Sequence, residues 1–585
     1  MAEITKDHVA EVLGDIATML ELKDENVFKI RAYQNAARAM ETFSGNLAQA
    51  VGEGTLEKLA GVGKAIAEKI SELVVTGNLS YYNILKAEFP PGIFDMFGIT
   101  GMGPKKIQAV WKKLGITSVG ELEAACGDGR VAGMKGFGEK TAANILKAIE
   151  DRKKYAGRFL IGDIEEDAMA MREFLRELPE VTRVEACGSF RRRRETCGDL
   201  DFLVSTREPE QVSGRFVKHE FVESVIAHGA TKSSVRWKTG IQADLRVVTE
   251  EQFPFALNYF TGSKEHNIVM RQRALARGWT LNEYRLGEAP KGEGQPVPEI
   301  HEEADIYRAL GLDFIPPELR ESMGEFAAAE QHTLPRLIER ENLRGTFHNH
   351  TTASDGRSTL REMADAAIAL GLEYLGIADH SKASFQAHGL DEARLLAQVE
   401  EIHALNKELG PGFRLFAGSE VDILKDGSLD LPDEVLAQLD YVVASVHSVF
   451  SLPEAEMTKR IIRAMENKHV TMLGHLTGRL LLSREAYAVD HAAIIEAAAA
   501  TGTIIELNAN PRRLDMDWRW WPLAKEKGVK CAINPDAHHT SQLQYLHFGI
   551  GTARKGWLRK SDVVNGLPLG KIEAVLAAKR GMKGG

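Results

Sequence analysis

The strongest constraint on how this chain can fold lies in residues 343–585. Seven apolar, strand-like runs recur there, Gly345 to His350, Tyr374 to His380, Arg414 to Glu420, Tyr441 to His447, Val470 to His475, Thr503 to Leu507 and Val529 to Asn534, with helical stretches between them. Strand and helix alternating over this length imply a parallel α/β barrel. Five of the seven runs end in His or Glu. His348, His350, His380, Glu420, His447, His475, Asp536 and His538 fall at or just past C-terminal strand ends, where a barrel builds its active site, and Asp355 follows soon after the first run. One such histidine is ordinarily a satisfied core or surface residue. Five runs ending in His or Glu need another cause, because unpartnered buried polar groups are costly. The set suits two or three Mn²⁺ or Zn²⁺ ions acting on a phosphoester.

A second stretch points to the opposite chemistry. Gly188 to Val204 reads as a small-residue turn (Gly188-Ser189), four consecutive arginines (Arg191 to Arg194), a second glycine (Gly198), and then Asp199 and Asp201 entering an apolar strand. Alternate residues share a strand face, so the two carboxylates project together, roughly 6–7 Å apart along the chain. Divalent cations, typically ~3.5–4 Å apart in phosphoryl-transfer sites, relieve that repulsion and clamp a triphosphate. Asp244, in the run Ile241 to Val248, can add a third carboxylate from a neighbouring strand, although alone it reads as a surface or turn residue.

Residues 1–155 read as helical, with apolar residues at helical spacing (Val9, Val12, Leu13, Ile16, Leu20, then Phe28, Ile30, Tyr33, Ala37, Met40). A Gly-x-Gly turn opens an amphipathic helix three times, at Gly61-Val62-Gly63-Lys64, Gly101-Met102-Gly103-Pro104-Lys105 and Gly136-Phe137-Gly138-Glu139-Lys140, spaced 40 and 35 residues apart. Backbone N–H groups at such a turn cradle an anion, and glycine lets a phosphate approach. A single copy would be only a tight helix–helix turn. Three copies, each with a lysine within two residues, favour phosphate contact without base reading. The net charge of −10 does not oppose this, because residues 101–160 hold twelve Lys or Arg against six Asp or Glu. Residues 301–342 invert the balance, four against ten, and 317–342 (Glu318, Glu321, Glu325, Glu330, Glu339, Glu341) reads as an acidic connector that discourages DNA.

The turns resemble helix-hairpin-helix motifs. Gly-Ser, Gly-Asp-x-Asp nine residues later and then a strand aspartate resemble the nucleotidyltransferase superfamily. Tyr259-Phe260-Thr261-Gly262-Ser263, followed by Asn267, Arg271 and Trp279 to Tyr284, makes residues 1–316 similar to a family X DNA polymerase such as DNA polymerase beta. The resemblance implies that Asp199 and Asp201 hold both Mg²⁺ or Mn²⁺ ions, and that Asp244 holds the catalytic one and helps activate the primer 3′-hydroxyl. It places Ser189, Arg192 and Gly198 on the triphosphate, Tyr259 and Phe260 along the sugar, and Asn267 and Arg271 beside the nascent pair. Gly188 and Gly262 complete the nucleotide-binding set, and the surplus Arg193 and Arg194 read as solvent-facing. Lys69 falls where the resemblance puts a deoxyribose-phosphate lyase lysine, with Lys29 matching a nearby basic residue. Gln34, Asn35 and Ala65 are uncharged where the beta enzyme is basic, so a solvated helix lysine is the alternative.

His348 to Thr351, Asp379-His380, Gly474-His475 and Asp536 to His538 resemble the polymerase and histidinol phosphatase (PHP) domain over 343–575. All nine of that family's ligand positions are occupied, with Asp379, His388 and His539 outside the set. End to end, the chain resembles the bacterial family X polymerases with a PHP domain, the PolX enzymes. The fold expected is multidomain, α+β and α/β. A helical DNA-binding domain (1–80) and a fingers-like helical domain (81–155) precede a nucleotidyltransferase palm (156–250) and a thumb (251–316). An acidic linker (317–342) and a distorted seven-stranded PHP barrel (343–585) follow.

Composition excludes other classes. Charged residues make up 27% and apolar ones 44%, which is ordinary globular composition, and no apolar segment reads as a signal or membrane span. Four cysteines without a CxxC pair fit a reduced cytoplasm. The leading expectation is a monomeric, cytoplasmic gap-filling repair polymerase that takes DNA and dNTPs and also removes 3′ nucleotides. The alternatives are a polymerase fused to a small-molecule phosphatase and a non-catalytic DNA-binding scaffold.

Overall fold

The computed structural model describes residues 4–41, 43, 47–59, 61–99, 101–154, 157–289 and 296–581; the expected domain boundary at 155 and the terminal residues 582–585 lie outside them. The chain divides into two compact units, 1–156 and 157–585.

The first unit is helical among its described residues. The helices Lys6–Leu22 and Val27–Glu41 bury Val9, Val12, Leu13, Ile16, Leu20, Ile30, Tyr33, Ala37 and Met40, as their spacing demands, whereas Phe28 is 78% exposed. The three glycine turns repeat one geometry. In each the first glycine takes a left-handed φ (+91° at Gly61, +89° at Gly101, +94° at Gly136), open to glycine without strain. The middle residue (Val62, Met102 or Phe137) is buried, and its N–H donates to a carbonyl three residues back, at 3.0 Å each time. Helices Lys64–Thr76, Pro104–Leu114 and Gly138–Lys154 follow, with Lys64, Lys105 and Lys140 exposed in their first turns.

The second unit begins with a five-stranded sheet of β1 (Val181–Ala186), β2 (Asp199–Thr206), β3 (Val222–Ala227), β4 (Lys232–Trp237) and β5 (Gln242–Val248), in the order β1-β2-β5-β4-β3. Strands β2 and β5 are central and parallel, and they carry the continuous apolar residues Phe202, Leu203, Val204, Leu245 and Val247 that two-sided burial requires. Helix Ile161–Arg176 covers one face through Ile164, Ala168, Met171 and Leu175. Helices Phe253–Thr261 and Lys264–Leu275 follow, and a separate core gathers Met270, Trp279, Ile306, Tyr307, Leu310 and Phe326.

Segment 317–342 departs from the expected connector. Glu325 is buried against His266 (3.1 Å), while Glu321 pairs with Lys555 (2.6 Å) and Glu318 with Arg554 (2.7 Å). The sequence shows an acidic run but not its partners, which come from both flanking domains.

Seven strands then form one parallel sheet in sequence order, β6 (Gly345–Thr346), β7 (Tyr374–Ile377), β8 (Arg414–Asp422), β9 (Tyr441–Ser445), β10 (Met472–Leu473), β11 (Ile504–Asn508) and β12 (Cys531–Asn534). A parallel bridge from Asn349 to Ala537 links its two ends, nearly closing a barrel. Two apolar layers result. Phe347, Tyr374, Phe416, Tyr441, Val443 and Met472 form the inner one; Leu375, Ile377, Leu415, Val442, Ala444 and Leu473 point outward to the helices.

Candidate active sites

Strand register assembles the palm site. Asp201 on β2 pairs with Asp244 on β5, and Asp199 pairs with Gln242 one step earlier on the same face. Gly188 closes the site from behind. Its φ is +62°, and a Cβ there would lie 2.5 Å from Asp201 Oδ2, so only glycine fits. The three carboxylates are electrostatically unequal. Burial, then Asp199 and Asp244, push Asp201 up to about 7, and burial and Asp244 also raise Asp199. Asp244 stays below the ordinary range despite burial, because Gln242 (2.9 Å), Lys232 (3.0 Å) and Ser234 hold its charged form. A divalent cation fits this donor set, since it would relieve the repulsion that raises Asp201.

Around the carboxylates, Ser189 lies half-buried on the short helix Gly188–Arg191, and Gly198 is exposed. Arg192 does not reach toward the carboxylates here. Its guanidinium donates to Thr261 O (2.6 Å) and meets Glu321 (3.1 Å), seated beneath Gly262. Tyr259 and Phe260 are half-buried and pack edge to face; Asn267 donates to Tyr259 O (2.7 Å), and Arg271 is exposed. Arg193 and Arg194 are not solvent-facing. Arg193 pairs with Glu165 and Arg194 with Glu321 (3.2 Å), because the barrel packs on this turn, with Gly551 against the Arg193 side chain.

The barrel site is built around Glu420, buried at the C-terminal end of β8. Its Oε2 lies 3.2 Å from His348 Nε2, 3.0 Å from His380 Nδ1 and 3.6 Å from His350 Nε2. Its Oε1 lies 3.1 Å from His447 Nε2 and 3.0 Å from His475 Nε2. Asp536 approaches His350 (3.2 Å), and Asp355 approaches His538 (3.4 Å) and His380 (3.7 Å). Three groups have donor atoms mutually within 4.8 Å: His350, Asp355, His380 and His538; His348, His350 and Asp536; His380, Glu420 and His447. All nine expected residues converge here. Among the described residues the palm forms no such group, Asp244 being held by Lys232 and Gln242.

Divalent metal fits the barrel set on an observation independent of composition. His348 Nε2, both nitrogens of His350, His380 Nδ1 and Glu420 Oε1 are buried without hydrogen-bond partners, although they crowd one another. Buried polar atoms are normally paired, and lone pairs converging without a proton between them suit cations. Burial and the neighbouring His538 and His380 hold His350 down to about 3. Against burial, Glu420 and Asp422 push His447 up to about 10, and Asp355 and Asp536 push His538 up to about 9. These carboxylates draw positive charge into the site.

Several supporting residues escaped the sequence reading. Glu506 takes His348 Nδ1 (2.7 Å) and is held by Asn534 (2.9 Å) and Asn508 (3.0 Å), which fixes the His348 ring so that Nε2 points inward. Asp422 does the same for His447 (3.1 Å). Asp422 is the last residue of β8, a signal the sequence did carry, and Glu506 is the one charged residue inside β11. Arg513, with Nε 3.4 Å from Asp536 and Nη1 buried without a partner, sits in a loop with no such mark. Asp379 binds Thr351, Ser354 and Gln398 rather than the cluster. In the first unit, Lys69 Nζ donates to Ala65 O (3.1 Å) and lies over the Tyr81 ring (5.1 Å), which Lys29 also approaches (6.0 Å).

Family models match five segments: a helix-hairpin-helix domain (4–79), a SAM-like helix-hairpin-helix tandem (94–151), the DNA polymerase beta palm (162–252), the DNA polymerase beta thumb (256–321) and the PHP domain (346–510). The DNA polymerase/3′-5′ exonuclease PolX of Bacillus subtilis (strain 168) is 40% identical over 575 residues, covering 98% of this chain and 99% of that protein. A probable phosphatase of Thermoanaerobacter sp. (strain X514) is 30% identical over 250 residues, 41% of this chain and 96% of its own length. DNA polymerase lambda of Rattus norvegicus is 24% identical over 345 residues, 54% of this chain and 56% of its own length. By this end-to-end relationship the chain belongs to the bacterial PolX family, family X DNA polymerases that carry a C-terminal PHP domain.

Proposed function

We propose that this protein is a template-directed DNA polymerase that fills gaps in base excision repair and whose barrel removes 3′ nucleotides, acting as a monomer in the cytoplasm. The observation that carries the reading is that two complete donor sets with no residue in common, three aspartates and a nine-residue His/Asp/Glu cluster, occur in one chain. Mg²⁺ or Mn²⁺ in the palm, and two or three Mn²⁺ or Zn²⁺ in the barrel, would supply Lewis acidity and charge neutralisation when bound.

In the palm, Asp199, Asp201 and Asp244 hold the cations, while Ser189, Gly188, Gly198 and Arg192 receive the triphosphate. Tyr259, Phe260 and Gly262 line the sugar, and Asn267 and Arg271 face the nascent pair. Lys232 keeps Asp244 ionised and oriented. In the barrel, Glu506 and Asp422 orient His348 and His447, and the unpartnered Arg513 Nη1 takes a non-bridging phosphate oxygen. Replacing Arg513 by alanine should lower kcat for 3′ nucleotide removal about a hundredfold, the scale of one lost anion donor, with primer extension intact. An unchanged rate would remove Arg513 from the mechanism.

The hairpins supply duplex affinity. Each of Lys64→Ala, Lys105→Ala and Lys140→Ala should weaken binding to duplexes of unrelated sequence equally and reduce the slope of log affinity against log salt by about 1. A variant with an unaltered slope would show that its hairpin does not touch phosphate.

The similarity to a probable phosphatase, together with the PHP domain match at 346–510, favours a second reading in which the barrel hydrolyses a small phosphomonoester. Mn²⁺-dependent release of nucleotides from a labelled primer 3′ end, measured beside hydrolysis of histidinol phosphate, decides between them.

A further inference from the structure

Arg194 of the palm and Lys555 of the barrel meet at the root of the triphosphate turn. Helix Leu546–Lys555 ends on Lys555, which is 1% exposed. Its ammonium lies 2.6 Å from Glu321 Oε1 and donates to Arg192 O (3.0 Å) and Glu318 O (3.4 Å). Glu321 also meets Arg192 (3.1 Å) and Arg194 (3.2 Å), so one largely buried carboxylate serves three cations. Glu195 lies 3.7 Å from Arg194, and the adjoining Glu318 is paired with Arg554 (2.7 Å). Burial, opposed by Glu321, lowers Lys555 to about 8.

The Arg192 guanidinium is held at two points, through Nε by Glu321 and through Nη1 by Thr261 O. A triphosphate that draws this guanidinium toward itself takes it from Glu321. A buried carboxylate stripped of its partner is costly, so the exchange is easy only if other cations stay behind. We propose that Lys555 is a positioning residue of the polymerase site: with Arg194 it keeps Glu321 paired when Arg192 moves to the triphosphate, so a barrel side chain sets how readily the palm accepts dNTP. The proposal rests on the reading of Arg192 as a triphosphate ligand.

The test is steady-state extension of a gapped duplex by the full chain, with KM for dNTP and kcat separated. Lys555→Met should raise KM about tenfold, the scale of one coupled charged pair, with kcat within about twofold and the 3′ hydrolysis rate unchanged. Lys555→Arg should restore the wild-type KM. Adding Glu321→Gln to Lys555→Met should also restore it, because no carboxylate then retains Arg192. An unchanged KM in Lys555→Met, or a rise that Glu321→Gln does not reverse, overturns the proposal. Arg192→Ala separates the two failures. If it leaves KM unaltered, the triphosphate reading of Arg192 falls and takes the proposal with it. If it raises KM while Lys555→Met does not, only the role of Lys555 falls.

Discussion

Asp201→Ala should reduce primer extension on gapped DNA by a thousandfold or more, roughly the loss of a metal site contributing several kcal/mol at tenfold per ~1.4 kcal/mol, while 3′ hydrolysis continues. Asp201 is in register with Asp244 and backed by Gly188. A purely structural residue would give the opposite stability result. The folded-state pKa of Asp201 lies above the ordinary carboxylate value, at about 7, because of burial and its acidic neighbours. The folded protein therefore holds the Asp201 proton more tightly than the unfolded chain does. This contribution is full below about pH 4 and is lost as pH rises through about 7. With chelator present, Asp201→Asn should be more heat-stable than wild type at pH 8, the difference vanishing near pH 4. Loss of 3′ hydrolysis alongside extension would show that the two sites are not separable.

Glu420→Ala should give the converse, abolishing 3′ nucleotide release to a similar extent with extension retained. Its two oxygens stand within 3.2 Å of four imidazoles, those of His348, His380, His447 and His475, and it belongs to the described metal-sized group with His380 and His447. Glu420→Gln keeps the shape and removes the charge, so it should lose at least one equivalent of bound Mn²⁺ or Zn²⁺ in metal analysis while the barrel stays folded. His348→Ala should behave similarly. An exonuclease rate unaffected by either Glu420 substitution would move hydrolysis out of the barrel.

Much of this was legible in the sequence for identifiable reasons. Barrel strands buried on both faces are mostly apolar, so all seven stand out, and a polar residue toward their ends is conspicuous. The glycine turns were legible because a left-handed φ leaves little choice of residue. Arg193, Arg194 and the acidic segment were read as solvent-facing or connecting, the ordinary fate of charge runs. Their partners Glu165, Lys555, Arg554 and His266 are distant in the chain, and nothing local announces them.

By itself the sequence determined which residue types could do chemistry and on which strands they would sit, because strand periodicity and burial act locally. Tertiary structure alone decided which oxygen faces which imidazole around Glu420, that Lys232 holds Asp244, and that Arg192 rests on Glu321 rather than toward the palm carboxylates. Those are pairings between residues far apart in the chain. Their energies depend on burial and on distances of a few ångströms, which only the packed fold sets.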